Sequence, residues 1–111
     1  MKRGDVFYAS LDPTQGSETQ RTRPVIIVSN NAANRAGALV TVVPLTSNVA
    51  RLFPFEVKLL ASDSGLPKDS KAMAQQVRTL DKGRLATHAS GHVPAKLMSQ
   101  VDAALRLHLS L

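Results

Sequence analysis

Two short stretches of this chain combine residue types and spacing that could do chemistry on a phosphate. The first is Gly16-Ser17-Glu18-Thr19-Gln20-Arg21-Thr22-Arg23-Pro24, a polar segment that runs into the apolar Pro24-Val25-Ile26-Ile27-Val28. Proline fixes its own φ and pushes the residue before it toward extended geometry. Arg23 is therefore expected at the mouth of a buried strand, its planar five-donor fork suited to phosphate; the same residue would equally suit a solvated strand end. The second is Pro44-Leu45-Thr46-Ser47-Asn48, where an apolar run ends in three hydrogen-bonding side chains. Two hydroxyls and an amide can hold a phosphate or the edge of an unpaired base, and the same residues are at home in an ordinary turn. A third stretch, Gln75-Gln76-Val77-Arg78-Thr79, offers donors for bases or phosphates, or simply an exposed edge strand.

Other chemistries are poorly served. Cysteine is absent, which removes disulfides, thiolate metal sites and a thiol nucleophile. His88, His92 and His108 cluster late in the chain, and the His-x-x-x-His spacing of the first two is interrupted by Ser90-Gly91. No metal is therefore expected there. Carboxylates are scattered, and Glu18 is the one that falls in the polar segment. No phosphate-cradling loop or dinucleotide fingerprint occurs, so no cofactor is expected. Lys and Arg total 14 against 8 Asp and Glu, a net charge of +6 that favours an anionic partner, nucleic acid or acidic protein.

The elements that must position these residues follow from the pattern. At 111 residues the chain has room for one domain, residues 1–111, with 43% hydrophobic residues to supply a core. Residues 5–11 have strand composition, and residues 14–22 form a polar connection too long for a simple hairpin. Residues 24–28 read as a strand covered on both faces. Ser29 and Asn30 can cap a helical turn over residues 31–36, with Gly37 as its stop. Residues 39–45 and 53–60 read as further strands, and Pro44 suggests a bulge or an edge position in the first. Residues 70–77 form a weaker strand, and residues 83–93 hold one more. From Pro94 the period becomes helical through Leu97, Met98, Val101, Leu105 and Leu109. The expected fold is mostly β: a small, strongly bent barrel of short strands closed by a C-terminal amphipathic helix. No apolar run approaches the ~20 residues of a membrane span, and no signal peptide is evident at the start, so the expected compartment is the cytoplasm.

Taken together, these segments resemble the MazF/PemK family of toxin–antitoxin endoribonucleases. The resemblance is carried by Arg3-Gly4-Asp5-Val6, by Leu11-Asp12-Pro13-Thr14-Gln15-Gly16-Ser17-Glu18, and by Thr22-Arg23-Pro24-Val25-Ile26-Ile27-Val28-Ser29-Asn30. It continues through Val42-Val43-Pro44-Leu45-Thr46-Ser47 and Gln76-Val77-Arg78-Thr79-Leu80-Asp81. Five such segments in the family's order cover essentially the whole length.

The resemblance implies an SH3-like barrel of five to seven strands, a homodimer, and metal-independent cleavage of single-stranded RNA. The expected products carry a 2′,3′-cyclic phosphate and a 5′-hydroxyl. Arg23 matches the family's catalytic arginine, Thr46 its catalytic threonine, and Glu18 a loop carboxylate implicated in activity. One branch, typified by Kid, uses an arginine, an aspartate and a histidine at positions where this chain has Met73, Gln75 and Ser17. The resemblance thus favours Arg23 and Thr46. RNA contacts are expected from Ser17, Arg21, Ser47, Asn48, Gln76 and Arg78, with Arg51 and Lys71 adding to a basic groove. The partners implied are single-stranded RNA, a second copy of the chain, and a cognate antitoxin with an acidic, partly disordered segment. The alternative keeps the fold without catalysis, as a toxin that acts by binding protein in the manner of a gyrase poison. Such toxins use an exposed C-terminal tryptophan, and this chain has no Trp.

Overall fold

Pro24-Val25-Ile26-Ile27-Val28 is apolar at every position because the chain folds over both of its faces. Ile26 and Val28 enter one core cluster with Val6, Val43, Leu45, Leu59 and the helix residues Met98, Val101 and Ala104. Val25 and Ile27 enter a second, with Phe7, Ala9, Val40, Val42 and Leu80. A strand with two buried faces loses the polar alternation of a solvated one.

The computed structural model describes residues 1–11 and 22–111. The strands are β1 (Asp5–Ser10), β2 (Thr22–Ile27), β3 (Leu39–Thr46), β4 (Glu56–Leu59), β5 (Ser70–Met73), β6 (Arg78–Asp81) and β7 (Gly91–His92). The helices are α1 (Asn31–Ala36), α2 (Ala61–Ser64) and α3 (Ala95–Leu109), with single 3₁₀ turns at Ala74–Gln76 and Lys82–Arg84. All strands join one curled antiparallel sheet in the order β4-β5-β3-β2-β1-β7, with β6 also paired to β3. This is the small bent sheet with a closing helix that the sequence implies. α3 lies across the cluster that contains Val93 and Val101.

Several local expectations hold in detail. Asn30 caps α1, its side chain accepting from the Ala33 N–H at 2.7 Å. Others change for identifiable reasons. Pro44 is buried in β3, the strand at the centre of the sheet, rather than on an edge. It sits between the part of β3 paired with β6, which ends at Val42, and the part paired with β5, which begins at Leu45. Its missing N–H thus falls where the strand changes partners. Residues 53–55 do not open β4: the Glu56 carboxylate accepts from the Phe53 N–H at 3.0 Å and makes a turn before the strand begins. Of residues 70–77 only Ser70–Met73 form a strand, which ends in the 3₁₀ turn at Ala74–Gln76 before β6 begins at Arg78. On α3, Met98, Val101 and Ala104 are buried and Leu97 and Leu105 partly so, while Leu109 is exposed.

The connection from β4 to β5 is held tightly. Asp63 accepts from the Leu60 N–H at 2.9 Å, and Asp69 accepts from the Ala61 N–H at 2.8 Å. Gly65 ends α2 with φ 77°, and a Cβ there would lie 2.5 Å from the Ser90 carbonyl oxygen. A Cβ on Gly91 would lie 2.1 Å from that of Ser64. α2 and β7 therefore meet backbone to backbone, fixing the following segment Leu66-Pro67-Lys68 on the sheet's edge.

Candidate active site

The cross-strand register brings the two leading candidates together. β2 and β3 pair as far as Val25 opposite Pro44, which leaves Arg23 and Thr46 each two residues beyond that last pair, at the ends of their strands. Both residues line each of two neighbouring cavities. The first, of about 450 Å³, is completed by Tyr8, Ser47, Leu66, Lys68 and Ser70 among others. The second, of about 370 Å³, is completed by Leu11, Met73, Gln76 and Arg78. Arg23 and Thr46 are the residues that the two cavities have in common.

Arg23 is exposed, and it makes no hydrogen bond or ion pair with any described residue. Its guanidinium is anchored only through the backbone of β2, where Ala9 of β1 is its partner. Thr46 is half-buried, and its hydroxyl oxygen accepts from the Asn48 N–H at 3.2 Å. That bond fixes the oxygen while leaving the hydroxyl proton to donate. Asn48 in turn accepts from the Ala50 N–H at 3.4 Å, so the turn chemistry of this stretch is realised too. Ser47 reaches the first cavity, whereas Asn48 is exposed and lines neither.

Gln76 is exposed on the 3₁₀ turn, and Arg78 donates to the Leu11 carbonyl at 3.2 Å, at the end of β1. Together they flank Arg23 and Thr46 on the second cavity. Ser17, Glu18 and Arg21 lie outside the described residues.

Lys71 is the one groove candidate that the structure removes. It is 8% exposed, with its ammonium 3.0 Å from Glu56 and donating to the Arg51 carbonyl at 2.5 Å. Gln75 donates to the other Glu56 oxygen at 2.7 Å. Burial pushes the Glu56 carboxyl up. The Phe53 N–H, Gln75 and Lys71 outweigh that and hold it below its ordinary value. Met73 and Gln75, at the positions of the other family branch, thus serve the cavity wall and this buried cluster. Arg51 remains exposed, its guanidinium 5.6 Å over the Phe53 ring.

The histidines carry no shared site among the described residues. His92 is 2.7 Å from the Asp5 carboxylate, and His108 tilts against Phe55. Tyr8, Lys68 and Ser70 were not legible as site residues. Tyr8 sits opposite Pro24 in the β1–β2 register, beside Arg23, whereas Lys68 and Ser70 arrive from a turn more than 40 residues away.

Fold and site together describe a small, strongly curled antiparallel sheet with an arginine and a threonine on the wall shared by two cavities. The model of the family "PemK-like, MazF-like toxin of type II toxin-antitoxin system" matches residues 2–109, and the chain belongs to that family. It is 43% identical over 116 residues to the endoribonuclease MazF9 of Mycobacterium tuberculosis, covering 100% of this chain and 98% of that one. It is 37% identical over 112 residues to the endoribonuclease EndoA of Bacillus subtilis, covering 100% and 96%. Among solved structures it is similar to a mycobacterial endoribonuclease in complex with its cognate antitoxin. That match has a TM-score of 0.81 and 33% identity over 100% of this chain and 96% of the other. These relatives carry the nuclease reading and lend nothing to the gyrase-poison alternative. No helix among the described residues is long and apolar enough to cross a membrane.

Proposed function

We propose that the chain is an endoribonuclease toxin that cuts single-stranded RNA by attack of a ribose 2′-hydroxyl on the adjacent phosphorus. The observation that carries this reading is the Arg23–Thr46 pair, just beyond the last β2–β3 pair and shared by two cavities. The 2′-oxygen bonds to phosphorus as its proton leaves to a base, and the bond from phosphorus to the 5′-oxygen breaks as that oxygen takes a proton. The products are a 2′,3′-cyclic phosphate and a 5′-hydroxyl, with no metal and no cofactor in the scheme. Arg23 stabilises the charge that builds on the phosphoryl oxygens, a task worth about 3–4 kcal/mol for one well-aimed donor. Thr46 donates its hydroxyl proton to a phosphate oxygen, and Glu18 is the candidate base. An arginine guanidinium stays protonated, so Arg23 acts through charge and hydrogen bonds rather than as a base.

RNA contacts are assigned to Ser17, Arg21, Ser47, Asn48, Gln76 and Arg78, with bases splayed along the groove. The reading extends to residues 1–111 as a single toxin domain that pairs with a second copy in the cytoplasm. A cognate antitoxin with an acidic, partly disordered segment would neutralise it by lying across the same basic groove.

The test is cleavage of a single-stranded RNA by the wild-type chain and by Arg23→Ala. The enzyme reading expects turnover to collapse in the variant while RNA binding weakens only in part. Equal loss of both, or cutting of a substrate carrying deoxyribose at the cut position, would contradict it.

A further inference from the structure

Next to Thr46 lies a buried charge cluster that the proposed chemistry does not use. Lys71 of β5 is the cross-strand partner of Thr46 in β3, so the two share one rung of the sheet. The Lys71 side chain is buried, its ammonium 3.0 Å from Glu56 and donating to the Arg51 carbonyl at 2.5 Å. Glu56 in turn accepts from the Phe53 N–H at 3.0 Å and from Gln75 at 2.7 Å. Two of these partners, the Arg51 carbonyl and the Phe53 N–H, belong to the connection between β3 and β4, which departs from Thr46. The near end of that connection is tied by the Asn48 N–H on the Thr46 hydroxyl and by the Ala50 N–H on the Asn48 side chain. Lys71 therefore holds the loop twice, through its backbone at Thr46 and through its ammonium at Arg51. The Phe53 ring, stacked on Phe55, lies 6.0 Å from the same ammonium.

A buried ion pair is a poor source of stability, because desolvation offsets its Coulomb attraction and well-packed apolar residues do as well or better. Here it instead gives a defined geometry to the backbone groups bonded to it. We propose that Glu56 and Lys71 are positioning residues for cleavage, fixing the 46–53 segment so that the Asn48 N–H keeps the Thr46 hydroxyl aimed at the phosphate. This rests on the endoribonuclease reading and deepens it. Both side chains are buried and act through Thr46 rather than on the RNA. A donor displaced by a fraction of an ångström is felt in the rate more than in binding.

The experiment uses wild type, Glu56→Met with Lys71→Met, Thr46→Val, and all of these substitutions combined. Single-turnover cleavage at saturating RNA is read beside melting temperature and affinity for a non-cleavable RNA with deoxyribose at the cut position. The paired methionines are expected to keep the fold and the affinity and to slow cleavage about ten-fold. In the Thr46→Val background the same pair should slow it no further, because the hydroxyl it positions is already gone. A merely structural role would give equal losses in both backgrounds. That result, or a folded paired variant that cuts like wild type, would overturn the inference and leave the nuclease reading intact. Amide exchange in the wild-type chain supplies a second reading that needs no variant, and the Asn48 and Phe53 N–H groups should both be protected. Exchange at Asn48 as fast as in an unstructured peptide would show the loop unheld and overturn the inference, whether or not the paired variant folds. A wild type that cuts no RNA overturns both readings.

Discussion

Arg23 and Thr46 each lie two residues beyond the last β2–β3 pair, Val25–Pro44, and both line the same two cavities. Below them Val25, Ile26 and Ile27 of β2 and Val42, Val43, Pro44 and Leu45 of β3 are buried, so the pair is carried on rigid backbone. Above them Arg23 is free of described partners, and Thr46 is oriented by the Asn48 N–H. A cation that no described residue neutralises, beside a fixed hydroxyl, is preorganised for an anion that arrives from outside.

Replacing either residue tests that preorganisation. Arg23→Ala should lower single-turnover cleavage about 10²–10³-fold, the cost of one aimed donor in such a site. Thr46→Val should lower it by about 10–100-fold, the range for a hydrogen bond to a charged group. Thr46→Ser should keep most of the rate, because the hydroxyl remains.

Salt dependence tests the groove. Each phosphate contact to single-stranded nucleic acid contributes a slope of about 0.7 in log affinity against log salt. Arg78→Ala should reduce the slope by about that amount, measured by titration of a non-cleavable RNA. Lys71→Met should leave the slope unchanged, since Lys71 is engaged with Glu56 and the Arg51 carbonyl.

That buried pair also predicts an acid-sensitive fold. Glu56 titrates below its ordinary value of 4.5, and Asp5, whose burial is outweighed by His92 and the Lys2 N–H, titrates below 3.8. A carboxyl whose folded pKa is lowered binds protons more readily when unfolded, so its stabilisation is full above the ordinary value. It disappears as pH falls through the lowered one. The melting temperature should therefore hold at neutral pH and drop as pH descends below about 4.5. Glu56→Gln should cost about 3–5 kcal/mol at pH 7, by leaving Lys71 buried without its counter-charge. The double variant Glu56→Met, Lys71→Met should recover much of that loss in chemical denaturation.

The contact between Gly65 and β7 predicts a coupled effect on stability and on the site. Gly65→Ala forces a side chain into a left-handed backbone and against the Ser90 carbonyl. It should destabilise the fold by about 1–3 kcal/mol. It should also displace the cavity wall at Leu66 and Lys68, so cleavage should suffer in the fraction that stays folded.

Much of this was legible in the chain because its causes are local. The β-branched run of β2, the Asn30 cap and the helical period of α3 are written in neighbouring residues, and Arg23 and Thr46 were readable from the strand ends they occupy. What escaped is set by partners distant in sequence. Pro44 looks like an edge residue until β5 and β6 are seen to share β3 between them. Lys71 looks like a groove cation until Glu56, fifteen residues earlier, claims it in the interior. Tyr8 and the Lys68–Ser70 segment belong to two stretches some 60 residues apart, joined only by the curl of the sheet.

The most direct test of the central claim is end-group analysis of single-stranded RNA incubated with the purified chain in excess EDTA. The account predicts discrete cuts bearing 2′,3′-cyclic phosphate and 5′-hydroxyl ends, lost when Arg23 is alanine. Intact RNA across a panel of sequences, or cuts that leave a 5′-phosphate, would contradict it.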